Sequence, residues 1–214
     1  MTIAEDVAKI LLEINAVTLS PQKPYRFASG ILSPIYCDNR IIISDVAKRE
    51  KIVEYFMQTI KENGVDFDVV GGVATAGIPH AAWIADAMKK PMIYIRSSAK
   101  EHGKNNTIEG RLKSGQKVLI VEDLISTGGS IIDAVSAVRG AGGIVTHAIA
   151  IITYEMERAK NNFAQANCTP VTLSNFSTLV QVAGKLNYIP QEEIARILEW
   201  NKSPADWGKK MGFE

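Results

Sequence analysis

The sequence predicts an α/β fold, an open and mainly parallel sheet flanked by helices, with a small hood built from N-terminal and C-terminal segments. Three observations predict it. Apolar runs of strand length recur through the middle of the chain: FDVVGGVAT (67–75), PMIYIR (91–96), QKVLIVED (116–123) and GIVTHAIAIITYE (143–155). Helical patterns separate most of these runs, as expected of parallel strands buried on both faces. Between positions 18 and 40, Ser20, Pro21, Pro24, Ser29, Gly30, Ser33 and Pro34 instead cut the chain into the short pieces of a flap.

Each element follows from its own pattern. Ile3, Val7, Ile10, Leu11 and Ile14 form one helical face over 2–15. YRFAS and PIYCD read as short hood strands. The stretch from Ser44 to Asn63 is helical again and Gly64 stops it. The strand at 67–75 enters a small-residue loop and a helix over 78–90. After the strand at 91–96 comes a long polar loop over 97–115. A strand at 116–123, a helix at 130–142 and a strand at 143–155 follow. The remainder holds a helix near 155–166, a strand at 168–173 and helices near 175–185 and 190–200. At 214 residues this is one domain, with the hood at about 1–43 plus C-terminal segments and the core at about 65–166.

Composition narrows the function. With 46% hydrophobic and 22% charged residues the chain can bury a substantial core and does not read as disordered. Its 24 Lys plus Arg against 23 Asp plus Glu leave a net charge of +1, whereas duplex-binding proteins carry a clear basic excess. Cys37 and Cys168 lie far apart, and His80, His102 and His147 show no ligand spacing, so a zinc site is not expected. Two free thiols suit a reducing compartment. The N-terminus is an amphipathic helix with early acids, not a secretory signal, and no apolar run approaches a membrane span. A soluble, cytoplasmic protein is expected. Trp83, His80 and His147 read as core or surface residues, Trp83 also as a dimer contact, and Trp200 and Trp207 as tethers of the C-terminus.

The chemistry concentrates in KVLIVEDLISTGGSII. A strand ends at Glu122 and Asp123, and a helix begins near Ser130. Open parallel sheets bind ligands at the carboxyl ends of their strands. Ser126, Thr127, Gly128 and Gly129 lie between, where glycines admit an anion close to the backbone and hydroxyl and N–H groups donate to it. Neither GxxxxGK[ST] nor GxGxxG is present. Two acids directly before a phosphate cradle suit a ligand carrying a phosphate and vicinal hydroxyls, such as a ribose 5-phosphate. The plainer alternative is a strand end followed by an ordinary turn.

VLIVEDLISTGGS (118–130) resembles the phosphoribosyl-diphosphate signature of type I phosphoribosyltransferases, which implies that family's fold. Three more segments resemble the orotate phosphoribosyltransferases: FASGILSPIYCDNR (27–40) their N-terminal segment, GGVATAGIPHA (71–81) their pyrophosphate-side loop, and YIRSSAKEHGKNNTIEG (94–110) their mobile catalytic loop. The four occur in family order over most of the chain, which is identified as a member on these grounds. The resemblance implies transfer of a phosphoribosyl group to orotate with Mg²⁺ as cofactor, by a homodimer whose loop reaches the neighbouring site. It implies that Lys100, His102 and Asp123 are catalytic and that Arg96 orients the diphosphate. Glu122 and Asp123 would hold the ribose, and Leu124, Ile125, Ser126, Thr127, Gly128, Gly129 and Ser130 would cradle the 5-phosphate. Backbone at Tyr36, Cys37 and Ser126 would position orotate. Some members have basic residues where this chain has Ala28, Ala76 and Ser97, and an orotate-contacting arginine for which only Arg158, in TYEMERAKN, lies nearby. A purine phosphoribosyltransferase and a non-catalytic, nucleic-acid-binding regulator on the same fold are the alternatives.

Overall fold

The computed structural model describes residues 1–97 and 107–213. Helix α1 (Ile3–Glu13) opens on a capping box, in which Thr2 Oγ1 accepts from the Glu5 N–H at 3.2 Å and the Thr2 N–H donates to Glu5 at 3.0 Å. Four short strands follow: β1 (Val17–Leu19), β2 (Tyr25–Arg26), β3 (Leu32–Ser33) and β4 (Ile35–Cys37). They form two separate antiparallel pairs, β1 with β4 and β2 with β3. A 3-10 turn, Asn39–Ser44, leads to α2 (Val46–Glu62). This helix starts later than its apolar pattern suggests because Asp45 is its N-cap, accepting from the Lys48 N–H at 3.0 Å.

The main sheet then alternates with helices: β5 (Val69–Val73), α3 (Gly77–Met88), β6 (Met92–Ile95), β7 (Ile108–Glu109), β8 (Val118–Ile125), α4 (Gly129–Gly140), β9 (His147–Thr153), α5 (Glu157–Gln165), β10 (Thr169–Asn175) and α6 (Phe176–Lys185). Its six strands lie in the order β10-β9-β8-β5-β6-β7, parallel throughout except for β7. The tail adds α7 (Glu193–Leu198) and α8 (Pro204–Lys210), the latter not foreseen from the sequence.

Two expectations change. The polar stretch 97–115 is not all loop: Ile108 and Glu109 pair antiparallel with Ile95 and Tyr94, an edge strand too short to leave an apolar run. Strand β8 does not stop at the acids. Leu124 and Ile125 continue in register with Ile152 and Thr153, and the Tyr154 N–H donates to the Ile125 carbonyl at 2.9 Å. Pairing with β9 carries the strand past the charges, because the ladder bonds backbone and is indifferent to side-chain polarity.

Side chains alternate across the sheet. Leu119, Val121, Ile149 and Ile151 enter one buried cluster with α1, α2, α3 and α6, while Val118, Ile120, Ala148 and Ala150 enter another with α4 and α5. The first cluster also takes in Trp200 and Trp207, both essentially fully buried. Trp200 Nε1 donates to the Leu32 carbonyl at 3.0 Å and Trp207 Nε1 to the Arg196 carbonyl at 3.0 Å, so the tail is pinned beneath β3. Trp83 is half-buried, its ring 5.5 Å from His80 and 5.0 Å beneath the Arg49 guanidinium. His80 is a core residue whose imidazole burial pushes down to about 4. Among the described residues no helix is long and apolar enough to cross a membrane.

Candidate active site

Strand β8 delivers Glu122 and Asp123 to the carboxyl edge of the sheet, but their environments differ. Glu122 is 6% exposed, whereas Asp123 is half-buried. Glu122 accepts from the Asp123 N–H at 3.0 Å and from the Ser130 hydroxyl at 3.3 Å, so it links the strand end to the first turn of α4. Burial first, and the Asp123 charge second, push the Glu122 carboxyl up to about 8. Raised above its ordinary value, this group favours the folded state in its protonated form, and that contribution fades as pH climbs from about 5 through about 8. The unliganded protein should therefore lose thermal stability across that interval, and Glu122→Gln should flatten the loss. Identical melting profiles for the two proteins would contradict this environment for Glu122.

The turn after β8 is shorter than the signature suggests. Leu124 and Ile125, expected in the cradle, are committed to the β9 ladder, and Ile125 is 2% exposed. The turn proper is Ser126, Thr127 and Gly128, with Gly129 and Ser130 opening α4. Gly128 stands at φ +79, and a Cβ there would lie 3.0 Å from the Phe163 ring, so both backbone and space select glycine. The Ile132 N–H donates to the Gly128 carbonyl at 3.0 Å, which starts the helix. The N–H groups of a first helical turn have no intrahelical acceptor and favour an anion. From α5, Asn162 Nδ2 donates to the Thr127 carbonyl at 2.9 Å and steadies the turn.

Two neighbours close on this edge. Gly77 opens α3 so near to β8 that a Cβ would fall 2.4 Å from the Val121 carbonyl oxygen. The loop running from β5 into α3 is thus held against the strand that carries the acids. On the hood side, Asn39 Nδ2 donates to the Asp123 carbonyl at 3.1 Å. Nothing in a single sequence marks Asn39, since Asp-Asn-Arg reads as a surface turn and its partner is 84 positions away.

A cleft of about 490 Å³ adjoins the turn. Ser126, Thr127, Phe27 and Trp200 line it, and Arg158 and Lys202 bring positive charge. Tyr36 and Cys37, expected at the base, are not in its lining. Strand alternation explains this: Ile35 points into the core, and Tyr36 is 46% exposed, its ring 5.5 Å from that of Tyr25. The half-buried Cys37 lies instead near Asp123, its thiol pushed up by burial and by the Asp123 and Asp38 charges. Arg96 follows β6 and pairs with Glu109 of β7, Nε to Oε1 3.3 Å, and its N–H donates to the Thr107 carbonyl at 2.9 Å. Lys100 and His102 lie outside the described residues.

The arrangement offers hydroxyl and N–H donors at the turn, adjacent carboxylates on the strand before it, and a partly apolar cleft that carries Arg158 and Lys202 beside Glu157. A family model described as a phosphoribosyl transferase domain matches residues 42–182. An orotate phosphoribosyltransferase of Coxiella burnetii is 54% identical over 207 residues, 97% of this chain and 99% of the relative. One from Enterococcus faecalis is 50% identical over the same shares of each chain. The crystal structure of orotate phosphoribosyltransferase from Aeropyrum pernix superposes with a TM-score of 0.74 at 27% identity, covering 86% of this chain and 99% of that one.

Proposed function

This chain belongs to the orotate phosphoribosyltransferases of the phosphoribosyl transferase family, and we propose that the turn after β8 is where it grips its sugar substrate. The reaction transfers the 5-phosphoribosyl group of phosphoribosyl diphosphate to orotate, giving orotidine 5′-monophosphate and diphosphate, a step of pyrimidine biosynthesis.

One observation carries the assignment of the site: two carboxylates on β8 stand directly before an open helix start that has glycine at φ +79. Asp123, the more open of the two, accepts from the ribose hydroxyls, with Glu122 beside it. Ser126, Thr127, Gly128, Gly129 and Ser130 donate to the 5-phosphate. Orotate occupies the adjoining cleft, its ring against Phe27 and its carboxylate toward Arg158. An orotate nitrogen supplies the electron pair that forms the new bond to the anomeric carbon as the bond to diphosphate breaks, with inversion. The transition state is cation-like at the sugar and anionic at the leaving group, so the protein stabilises charge and needs no nucleophile of its own. Arg96, Lys100 and His102 meet the diphosphate.

Among the described residues no three His, Cys, Asp or Glu gather as a metal cage. The two carboxylates beside a phosphate turn suit a Mg²⁺ ion held mainly by substrate oxygens. When bound, the ion supplies charge neutralisation on the diphosphate. The chain matches its relatives over nearly their whole length, and on this reading it acts as one domain in a cytoplasmic homodimer.

The test is loss of orotate ultraviolet absorbance. It should require both phosphoribosyl diphosphate and Mg²⁺, and adenine and xanthine should not be consumed. Arg158→Ala should raise the KM for orotate roughly tenfold, the loss of one charge-assisted hydrogen bond. An unchanged KM would remove Arg158 from the base site, and consumption of a purine instead would overturn the choice of substrate.

A further inference from the structure

The acidic pair is held from a direction that the β8 sheet itself does not provide. The ladder between β5 and β8 ends at Gly72 and Val121, two residues before Asp123. Past that point a donor from the hood takes over, the Asn39 amide, at 3.1 Å from the Asp123 carbonyl. Asn39 is fully buried and opens the 3-10 turn that follows β4. The remaining amide atom, Oδ1, is buried without a partner among the described residues. Buried polar atoms are nearly always satisfied, so an amide with a stranded acceptor is not what packing alone would select at this place. A leucine of nearly the same shape would fill the space without that cost.

We propose that Asn39 is a positioning residue for the sugar: it fixes the Asp123 main chain from the hood, and through it the carboxylate that meets the ribose hydroxyls. This rests on the reading of Asp123 given above. Among the hydrogen bonds of the described residues, Asn39 donates to Asp123 and to no residue of the 5-phosphate turn or α4. Its influence is confined to the half of the site that recognises hydroxyl groups, and the phosphate half is anchored separately, by Asn162 on Thr127. The two halves can therefore be read independently with two small probes. Inorganic phosphate reports on the turn alone, and ribose 5-phosphate reports on the turn and the acids together.

Calorimetric titration of the full-length protein with each probe makes the test, using Asn39→Leu, which removes the donor without adding charge. The dissociation constant for ribose 5-phosphate should rise about tenfold, the scale of one hydrogen bond to a well-placed charged site. That for inorganic phosphate should stay within about a factor of two, because the turn keeps its own anchor. Asn39→Ser, with a shorter donor, should fall between Asn39→Leu and the unaltered protein, and it decides the matter if Asn39→Leu does not fold. Unchanged ribose 5-phosphate affinity, or parallel weakening of both probes, overturns the role of Asn39. Asp123→Asn is the reference. If it leaves ribose 5-phosphate binding intact, the carboxylate reading itself has failed. If it weakens that binding while the Asn39 variants do not, only the positioning role is lost.

Discussion

Replacing Lys100 with alanine should lower kcat by about 10²–10³, the range seen when one preorganised charge-stabilising donor is removed, while phosphoribosyl diphosphate binds nearly as before. Negative charge grows on the diphosphate only as its bond to the sugar breaks, so a cation that meets it then acts on the rate more than on substrate affinity. Lys100 lies in the stretch between β6 and β7, two strands paired antiparallel through Tyr94–Glu109 and Ile95–Ile108. Both ends of that stretch are therefore anchored at the sheet, one of them by Arg96 through Glu109 and Thr107. Stopped-flow turnover with a parallel binding titration separates the two effects, and an undiminished kcat would sink the assignment. If the stretch serves the neighbouring subunit, mixing Lys100→Ala with Asp123→Asn should raise activity above the sum of the two impaired variants through hybrid dimers. No recovery after proven subunit exchange would place the lysine in its own subunit's site.

Asp123→Asn should lower kcat/KM for phosphoribosyl diphosphate by roughly tenfold to a hundredfold, the scale of a charged hydrogen bond of about 1.5–3 kcal/mol. A second readout distinguishes a local effect from damage to the fold. The Asp123 charge is the second cause holding the Glu122 carboxyl up, after burial. Its removal should move the Glu122 titration downward and leave thermal stability intact or slightly improved, since a like charge has been taken from beside a buried acid. A marked drop in melting temperature together with the lost activity would mean that Asp123 supports the strand end rather than the sugar.

Much of this site is legible from one chain because its parts are local. The strand, the acids and the turn from 118 to 130 are consecutive, and their chemistry follows from residue type and spacing. Gly128 illustrates the point: glycine in a turn before a helix implies an unusual backbone angle, and the structure holds it at φ +79. The limits of the turn are less legible. Leu124 and Ile125 look like the beginning of the cradle, yet they pair with Ile152 and Thr153. Where a strand stops depends on how long its neighbour continues, and the neighbour is far away in sequence. The cleft beside the turn shows the same limit from the other side. Tyr36 and Cys37 lie next to a recognisable motif, but the lining belongs to Phe27, Arg158 and Trp200.

The chain's own pattern of apolar runs, acids and glycines was enough to specify the α/β class and to mark the segment 118–130 as the candidate binding turn. Each of these depends on interactions between residues close in sequence, which periodicity and motif spacing record directly. Folding alone settled the rest: the burial that sets Glu122 apart from Asp123, the approach of Gly77 to Val121, the seal of Trp200 on Leu32 and the reach of Asn39 to Asp123. Those are contacts between distant segments. Burial and hydrogen bonding there are properties of the assembled neighbours, and no single stretch of residues contains them.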